Sequence, residues 1–146
     1  MDNIVRAAVE ATGDPALGLR FVDFVQPTSY HALGMALLYS SNLRSFCQRL
    51  QRYFTVITNM DDVRFVKADG DCFISVKCVY QYSEPARRVS NDAWMAYILK
   101  TLRQIYRPDF HPERVTLTWE PPRSLRSRYD ELFLCPCLLY TSPSPR

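Results

Sequence analysis

Two different hydrophobic periods follow one another in this 146-residue chain. Over residues 43–57 apolar side chains recur every three or four positions, which is the period of an amphipathic helix. Over residues 62–80 they alternate instead, and Asp69-Gly70 divides the alternation into two runs. Asp-Gly between alternating runs indicates a β-hairpin. A short chain that must form both a helix and a hairpin is predicted to be α+β, with helices packed on a small, mainly antiparallel sheet.

The rest of the chain predicts further elements of both kinds. Helices are expected over residues 3–11, 30–41, 91–107 and 121–133, the third of them capped by Asn91 and the last opened by two prolines. Short strands or extended segments are expected over residues 18–24 and 115–120. On the second hairpin strand the residues predicted to face the core are Cys72, Ile74, Val76, Cys78 and Tyr80.

Composition favours a folded domain without selecting a partner. A hydrophobic share of 47% with 13% aromatic residues can form a core, and a net charge of +3 does not single out nucleic acid or a membrane. No signal peptide or membrane-spanning run is found, so a cytoplasmic location is expected. Cys72 and Cys78 are separated by roughly 20 Å along a strand, too far for a disulfide, and they are interpreted as buried thiols in a reducing compartment.

Residues that could perform catalysis or hold a metal are sparse. His31 and His111 are far apart and lie in no metal-binding spacing, so neither a metal nor a cofactor is predicted. No nucleophile signature is present. Asp61-Asp62 could be a catalytic carboxylate pair, but adjacent acids before a strand are interpreted as a turn or cap. The chain is therefore predicted not to be an enzyme.

The residue types suggest two candidate binding surfaces, one made of arginines and one made of aromatic side chains. Arg123, Arg126 and Arg128 could contact phosphates, although a solvated helix face is the favoured interpretation. Large aromatic side chains from two helices and one strand could line a small-molecule pocket or fill an ordinary core. The candidate effector-binding residues are Phe46, Tyr53, Phe54, Trp94, Tyr97 and Trp119.

Three segments resemble the amino-terminal domain of AraC-type transcriptional regulators, in the branch whose effector domain is called arabinose-binding-like. They are GDPALGL at 13–19, ALG and SS at 32–34 and 40–41, and the F-x-C-P pattern at 133–136. The resemblance covers residues 3–136. It implies that residues 1–136 form an effector-sensing domain, which forms homodimers in many members of the family.

The resemblance also implies partners that this chain would reach only as part of a longer protein. A carboxy-terminal helix-turn-helix domain, absent here, would read promoter DNA in response to a small-molecule effector, and no membrane is involved. Relatives carry more helix before the position of Asn3, so truncation at both ends is expected. The effector, its sign of regulation and the target genes stay open. The alternative is a stand-alone small-molecule-binding or haem-sensor-like α+β module without a DNA partner.

The last ten residues, 137–146, lack any hydrophobic period and read CLLYTSPSPR. This peptide is what a transposon-end sequencing adapter encodes when it is translated in frame, so residues 137–146 are predicted to be a non-native tail. A Ser/Pro-rich linker is the alternative. We expect the DNA after the codon of Pro136 to read TGTCTCTTATACACATCT at its start. Sequencing the encoding DNA tests this, and any other codon choice would favour the linker.

Overall fold

The computed structural model describes residues 2–68 and 70–139, which fold as two units, Met1–Pro108 and Asp109–Arg146. The elements of the first unit are α1 (Asp2–Thr12), α2 (Leu17–Phe24), a 3-10 turn (Pro27–Tyr30), α3 (His31–Leu38), α4 (Leu43–Ile57), β1 (Asp61–Ala68), β2 (Asp71–Cys78) and α5 (Glu84–Ile105). Those of the second unit are β3 (Val115–Leu117), α6 (Arg123–Phe133) and β4 (Cys137–Leu139). The predicted α+β class is confirmed.

The predicted hairpin is confirmed as the antiparallel pair of β1 and β2. Its register runs from Asp61 opposite Cys78 to Ala68 opposite Asp71. Gly70 has a φ of 89°, a conformation that glycine adopts without strain, while Asp69 of the predicted turn lies outside the described residues. Side chains of Ile74, Val76 and Cys78 are half-buried in alternation with exposed neighbours. Cys72 is exposed and Tyr80 is 57% exposed, so the prediction that these two residues face the core is wrong.

Helix α4 begins and packs as its sequence predicts. Asn42 Oδ1 accepts a hydrogen bond from the Ser45 backbone N–H at 2.8 Å, and Ser45 Oγ accepts one from the Asn42 backbone N–H at 3.2 Å. This reciprocal capping satisfies two donors that have no partner inside the helix. The side chains that α4 buries are Phe46, Cys47, Leu50 and Phe54.

Two predicted elements differ from the structure. Residues 18–24 belong to a helix rather than a strand, because Gly18, Leu19 and Val22 recur at helical spacing and are buried together. Helix α5 begins at Glu84 instead of near Asn91, which therefore lies inside the helix and is not its cap. The first turn contains Pro85, a residue that is well tolerated there because the N–H it lacks would have no helical partner.

Helices pass very close to backbone at two glycines of the first unit. A Cβ at Gly18 would lie 2.8 Å from Asp92 Cβ and would also clash with the Val89 carbonyl, so α2 can pack on α5 only through a glycine. A Cβ at Gly34 on α3 would collide with the carbonyl of Pro27. Both glycines belong to the segments that carry the family resemblance. Packing at these distances requires a residue without a side chain at both positions.

The second unit is a small parallel pair of strands with one helix. Val115 lies opposite Cys137, and Leu117 lies opposite Leu139. Helix α6 begins after Pro122, as predicted, and buries Leu125, Tyr129 and Phe133. Residues 137–139 of the predicted tail form β4, and residues 140–146 lie outside the described residues.

Replacing Gly18 by Ala tests the contact between α2 and α5. We expect Gly18→Ala to lower the free energy of unfolding by about 1–3 kcal/mol, because the methyl group overpacks a contact made partly by backbone. The measurement is urea unfolding followed by circular dichroism. Asp23→Ala, an exposed position on the same helix, is the matched control and should change stability by less than about 0.5 kcal/mol. Equal stability of Gly18→Ala and wild type would contradict this packing.

Candidate functional site

Four aromatic rings of the first unit form a contiguous group, the Trp94 cluster, which consists of Tyr30, Phe54, Trp94 and Tyr97. The Trp94 ring centroid lies 4.6 Å from that of Phe54, 5.0 Å from Tyr30 and 6.0 Å from Tyr97. The Tyr30 and Tyr97 centroids are 4.3 Å apart. Tilted and edge-on arrangements at these distances are favourable because they set ring edges against neighbouring ring faces.

Three elements bring these rings together. Trp94 and Tyr97 are three residues apart on α5 and therefore lie on the same side of that helix. Phe54 comes from the last turn of α4, and Tyr30 from the end of the 3-10 turn that precedes α3. Phe54 and Tyr97 are buried, whereas Tyr30 and Trp94 are half-buried and so form the part of the cluster that solvent can reach.

A buried carboxylate adjoins the cluster at Trp94. Asp61, the first residue of β1, is only 6% exposed, and its Oδ2 accepts a hydrogen bond from Trp94 Nε1 at 2.9 Å. Its Oδ1 has no hydrogen-bond partner within residues 2–68 and 70–139. Burial raises the pKa of Asp61, an effect that the Trp94 hydrogen bond only partly opposes. The interpretation of Asp61 as a turn or cap residue is therefore wrong.

The tyrosines of the cluster contribute polar groups that stay uncharged. The Tyr97 hydroxyl is buried and has no hydrogen-bond partner in the described part of the chain. Burial raises the pKa of Tyr97, and it raises the pKa of Tyr30 to about 12. Both side chains are thus neutral hydroxyls near pH 7, able to donate and to accept a hydrogen bond.

On the hairpin side Asp61 is bordered by two further polar side chains. Cys78 lies opposite Asp61 in the strand register, and burial raises the pKa of its thiol. The hydroxyl of Tyr82 contacts the Met60 sulfur at 2.5 Å, and burial raises the pKa of this tyrosine as well. Cys78 and Tyr82 are therefore neutral at pH 7, and neither of them balances the charge of a carboxylate.

The structure brings only some of the predicted effector-binding residues together. Phe54, Trp94 and Tyr97 share the cluster, while Phe46 is a fully buried core residue and Tyr53 is 43% exposed, both on α4. Trp119 belongs to the second unit, where its ring centroid lies 5.9 Å from that of Tyr129.

Tyr30 and Asp61 were not among the predicted site residues. A signal for Asp61 was present, because the two-residue period places it on the same strand face as Val63 and Phe65 and hence on the inward side. No comparable signal marks Tyr30, whose position depends on the turn before α3.

A second candidate site is a groove of about 200 Å³ within the second unit. Its lining comprises Leu117, Trp119, Glu120, Pro121, Arg126, Tyr129, Asp130, Cys137, Leu138 and Leu139. Arg126 Nη2 lies 2.6 Å from Glu120 Oε1, so one of the three arginines considered for phosphate binding is already engaged by a carboxylate. This arrangement favours the solvated helix face over a phosphate-binding set.

Among the described residues there is neither a metal-binding group of side chains nor a membrane-spanning helix. No group of three or more histidine, cysteine or acidic side chains there is arranged to hold a metal ion. Among the helices described, none combines the length and the apolar character needed to cross a membrane.

Comparison with known proteins places these features in context. The family model described as arabinose-binding domain of AraC transcription regulator, N-terminal, matches residues 2–141. A crystal structure of the transcriptional regulator CdpR from Pseudomonas aeruginosa has a similar fold, with a TM-score of 0.63 at 17% sequence identity. The similarity covers 88% of this chain but only 42% of that regulator. No curated protein matches the sequence significantly.

The raised pKa of Asp61 makes a signed prediction about stability and pH. A folded-state pKa above the unfolded value of about 3.9 means that ionisation opposes folding, so the fold loses stability as pH rises from about 3.9 through the folded pKa. Asp61→Asn keeps an oxygen for Trp94 Nε1 and removes this loss. We expect the free energy of unfolding of Asp61→Asn, relative to wild type, to rise over that interval and then level off.

Urea unfolding at a series of pH values measures this difference. Asp62→Asn is the matched control, since Asp62 is less buried and pairs with Arg64 at 2.7 Å. If Asp61→Asn lost stability relative to wild type as pH rose, the buried carboxylate would be a stabilising group and the assignment would be wrong.

Proposed function

Because the chain belongs to the family of N-terminal arabinose-binding domains of AraC transcription regulators, we propose that residues 1–136 sense a small-molecule effector and control promoter binding by a carboxy-terminal helix-turn-helix domain. Domains of this family are regulatory parts of transcription factors and not enzymes. The chain spans 42% of the length of CdpR, which leaves room for further domains in a full-length protein of similar size.

The Trp94 cluster together with Asp61 is the effector site that we propose. The observation that carries it is a half-buried tryptophan at the centre of a ring cluster, joined by a 2.9 Å hydrogen bond to a carboxylate that is almost fully buried. Ligand sites typically combine apolar and aromatic walls with a few polar groups that fix orientation. Asp61 Oδ1 and Tyr97 Oη supply such groups, because neither has a hydrogen-bond partner in the described residues.

The other three predicted effector-binding residues do not belong to the Trp94 cluster. Phe46 and Tyr53 lie on α4 with Phe54 and support or flank the site. Trp119 lines the groove of the second unit, which is the second candidate because it combines an aromatic wall with an open volume of about 200 Å³.

A signal from the site can pass along α5 to α2. Trp94 and Tyr97 lie on the same helix as Lys100, whose Nζ donates to the carbonyls of Val22 at 2.5 Å and Val25 at 3.3 Å at the end of α2. An effector that binds one position of α5 more tightly than another therefore shifts the population of α2 positions as well. This linkage is the mechanism by which effector binding would reach the rest of a regulator.

Dimerisation and a cytoplasmic location complete the proposed function. Several large apolar side chains of the first unit are exposed, among them Phe24 at 75% and Val56 at 76%, and a second copy of the chain could cover such residues. Promoter DNA would be contacted only through the carboxy-terminal domain, and no membrane partner is proposed.

Single-tryptophan variants test the effector site directly, because the chain has only two tryptophans. We expect an effector found by calorimetry in a panel of sugars, amino acids, fatty acids and aromatic metabolites to change the emission of Trp119→Phe, which retains Trp94. The same effector should leave the emission of Trp94→Phe unchanged, since only Trp119 reports there. Trp94→Ala should weaken binding about tenfold or more, because it removes a ring that lines the site.

The reverse pattern would place the effector in the groove of the second unit. A panel in which no compound binds either variant or the wild-type chain would count against effector sensing by these residues. Circular dichroism of each variant checks that loss of binding is not loss of folding.

A further inference from the structure

We infer that the effector carries a cationic amine, whose ammonium group pairs with Asp61 and lies against the rings of Tyr30 and Trp94. This inference rests on the proposed effector-sensing function and adds the chemical class of the ligand.

The charge of Asp61 is poorly compensated by the protein. An ionised carboxylate offers about four acceptor positions, yet the donors that reach Asp61 within the described residues are uncharged, namely the Trp94 indole N–H at 2.9 Å and the Cys78 thiol. None of the ion pairs formed by the described residues includes Asp61. Arg87 on α5, whose charge acts on the neighbouring Cys78 thiol, is itself paired with Glu84. Buried charges in proteins are normally paired, so this site lacks a positive partner that a ligand can supply.

The rings beside Asp61 suit the same partner. Tyr30 and Trp94 are half-buried with centroids 5.0 Å apart, so both can present ring surface to a ligand that enters from solvent. The face of an aromatic ring attracts cations, and tryptophan does so most strongly. The hydroxyls of Tyr30 and Tyr97 are neutral at pH 7, and burial raises their pKa further, so they add no competing negative charge.

Two unpaired oxygens of the site can accept hydrogen bonds from an ammonium group. A primary ammonium has three N–H donors and no acceptor. Asp61 Oδ1 and Tyr97 Oη are both buried and lack a hydrogen-bond partner in residues 2–68 and 70–139, and an oxygen at each position can accept from such a donor. Leaving these oxygens unpaired is unfavourable, so a ligand that satisfies them gains affinity.

Other ligand classes fit these surroundings less well. An anionic effector such as a fatty acid would place a second negative charge beside Asp61, where low solvent access strengthens the repulsion. A neutral sugar can donate hydroxyl hydrogens to the free oxygens, but it leaves the charge of the carboxylate without a counter-charge. An amine supplies both the donors and the charge.

Two sets of small probes test this inference with the 146-residue chain in reducing buffer. One set is butylamine, butanol and butyrate, and the other is phenethylamine, phenylethanol and phenylacetate. Within each set size and shape are similar while the charge is positive, neutral or negative. The readout is the indole N–H signal of Trp94 in a ¹⁵N-correlated NMR spectrum, assigned by its loss in Trp94→Phe. This signal is sensitive because the N–H is the group that donates to Asp61.

We expect the amines to shift the Trp94 signal in a saturable way and the neutral analogues to bind about tenfold more weakly. The anions should cause no shift. In Asp61→Asn the preference for amines over neutral analogues should disappear, because the ring contacts remain and the counter-charge does not. Asp62→Asn, which removes the neighbouring carboxylate at a less buried position, should behave as wild type. The dispersion of the same spectra verifies that each variant is folded.

Every other outcome contradicts a specific part of the inference. Equal affinity for amines and neutral analogues, or an amine preference that persists in Asp61→Asn, overturns the cationic class. Shifts confined to the Trp119 signal overturn the location. If no amine shifts Trp94 while a compound of the metabolite panel does, the amine class fails and effector sensing stands. If neither the probes nor the panel bind, both fail.

Discussion

The hydrogen bond from Trp94 Nε1 to Asp61 Oδ2 joins the longest helix of the chain to the first residue of the hairpin. It fixes the Trp94 indole at the centre of three other rings, and it holds a carboxylate away from water. A hydrogen bond to a charged group is stronger than one between neutral groups, but a single neutral donor does not replace the hydration that burial removes. This hydrogen bond therefore joins α5 to the hairpin, but it leaves the charge of the Asp61 carboxylate only partly compensated.

Incomplete polar sites in otherwise well-packed cores are commonly places where function takes precedence over stability. Around Asp61 the core is otherwise ordinary, since Phe46, Leu50 and Phe54 of α4 are buried and the first turn of this helix is capped by Asn42 and Ser45. The unfavourable group is thus confined to one point, at the contact between α5 and β1. A ligand that completes it would favour one position of α5, and Lys100 couples that helix to the end of α2.

The sequence segments that carry the family resemblance contain close backbone contacts such as the one at Gly18. Residues 13–19 and 32–34 contain the two positions where backbone approaches a helix so closely that a methyl group would clash. The same contacts set the distance of α2 from α5 and of α3 from the 3-10 turn that carries Tyr30. Such backbone contacts define the architecture without requiring particular core side chains. A similar fold at 17% sequence identity, as in CdpR, is therefore expected.

The sequence by itself determined the α+β class, the hairpin around Gly70, the amphipathic helix over residues 43–57, and the proline-opened helix α6, because these depend on local periodicity and on residues adjacent in the chain. It also predicted Phe54, Trp94 and Tyr97 as candidate effector-binding residues, and the structure places these three rings in one cluster. Residues 18–24 were predicted as a strand from a short apolar alternation, but they pack as a helix. The start of α5 was predicted at Asn91, whereas the helix begins after Ser83, at Glu84 and Pro85.

Only the tertiary structure decided that Asp61 is buried and that Tyr30 joins the Trp94 cluster. A pair of acids before a strand is locally compatible with a turn, and it becomes a buried carboxylate only when α5 packs across the hairpin and offers an indole N–H. Tyr30 lies 64 residues before Trp94, so no local pattern could report the contact. Long-range contacts set both solvent access and charge balance, which are the quantities that make this group of residues a candidate site.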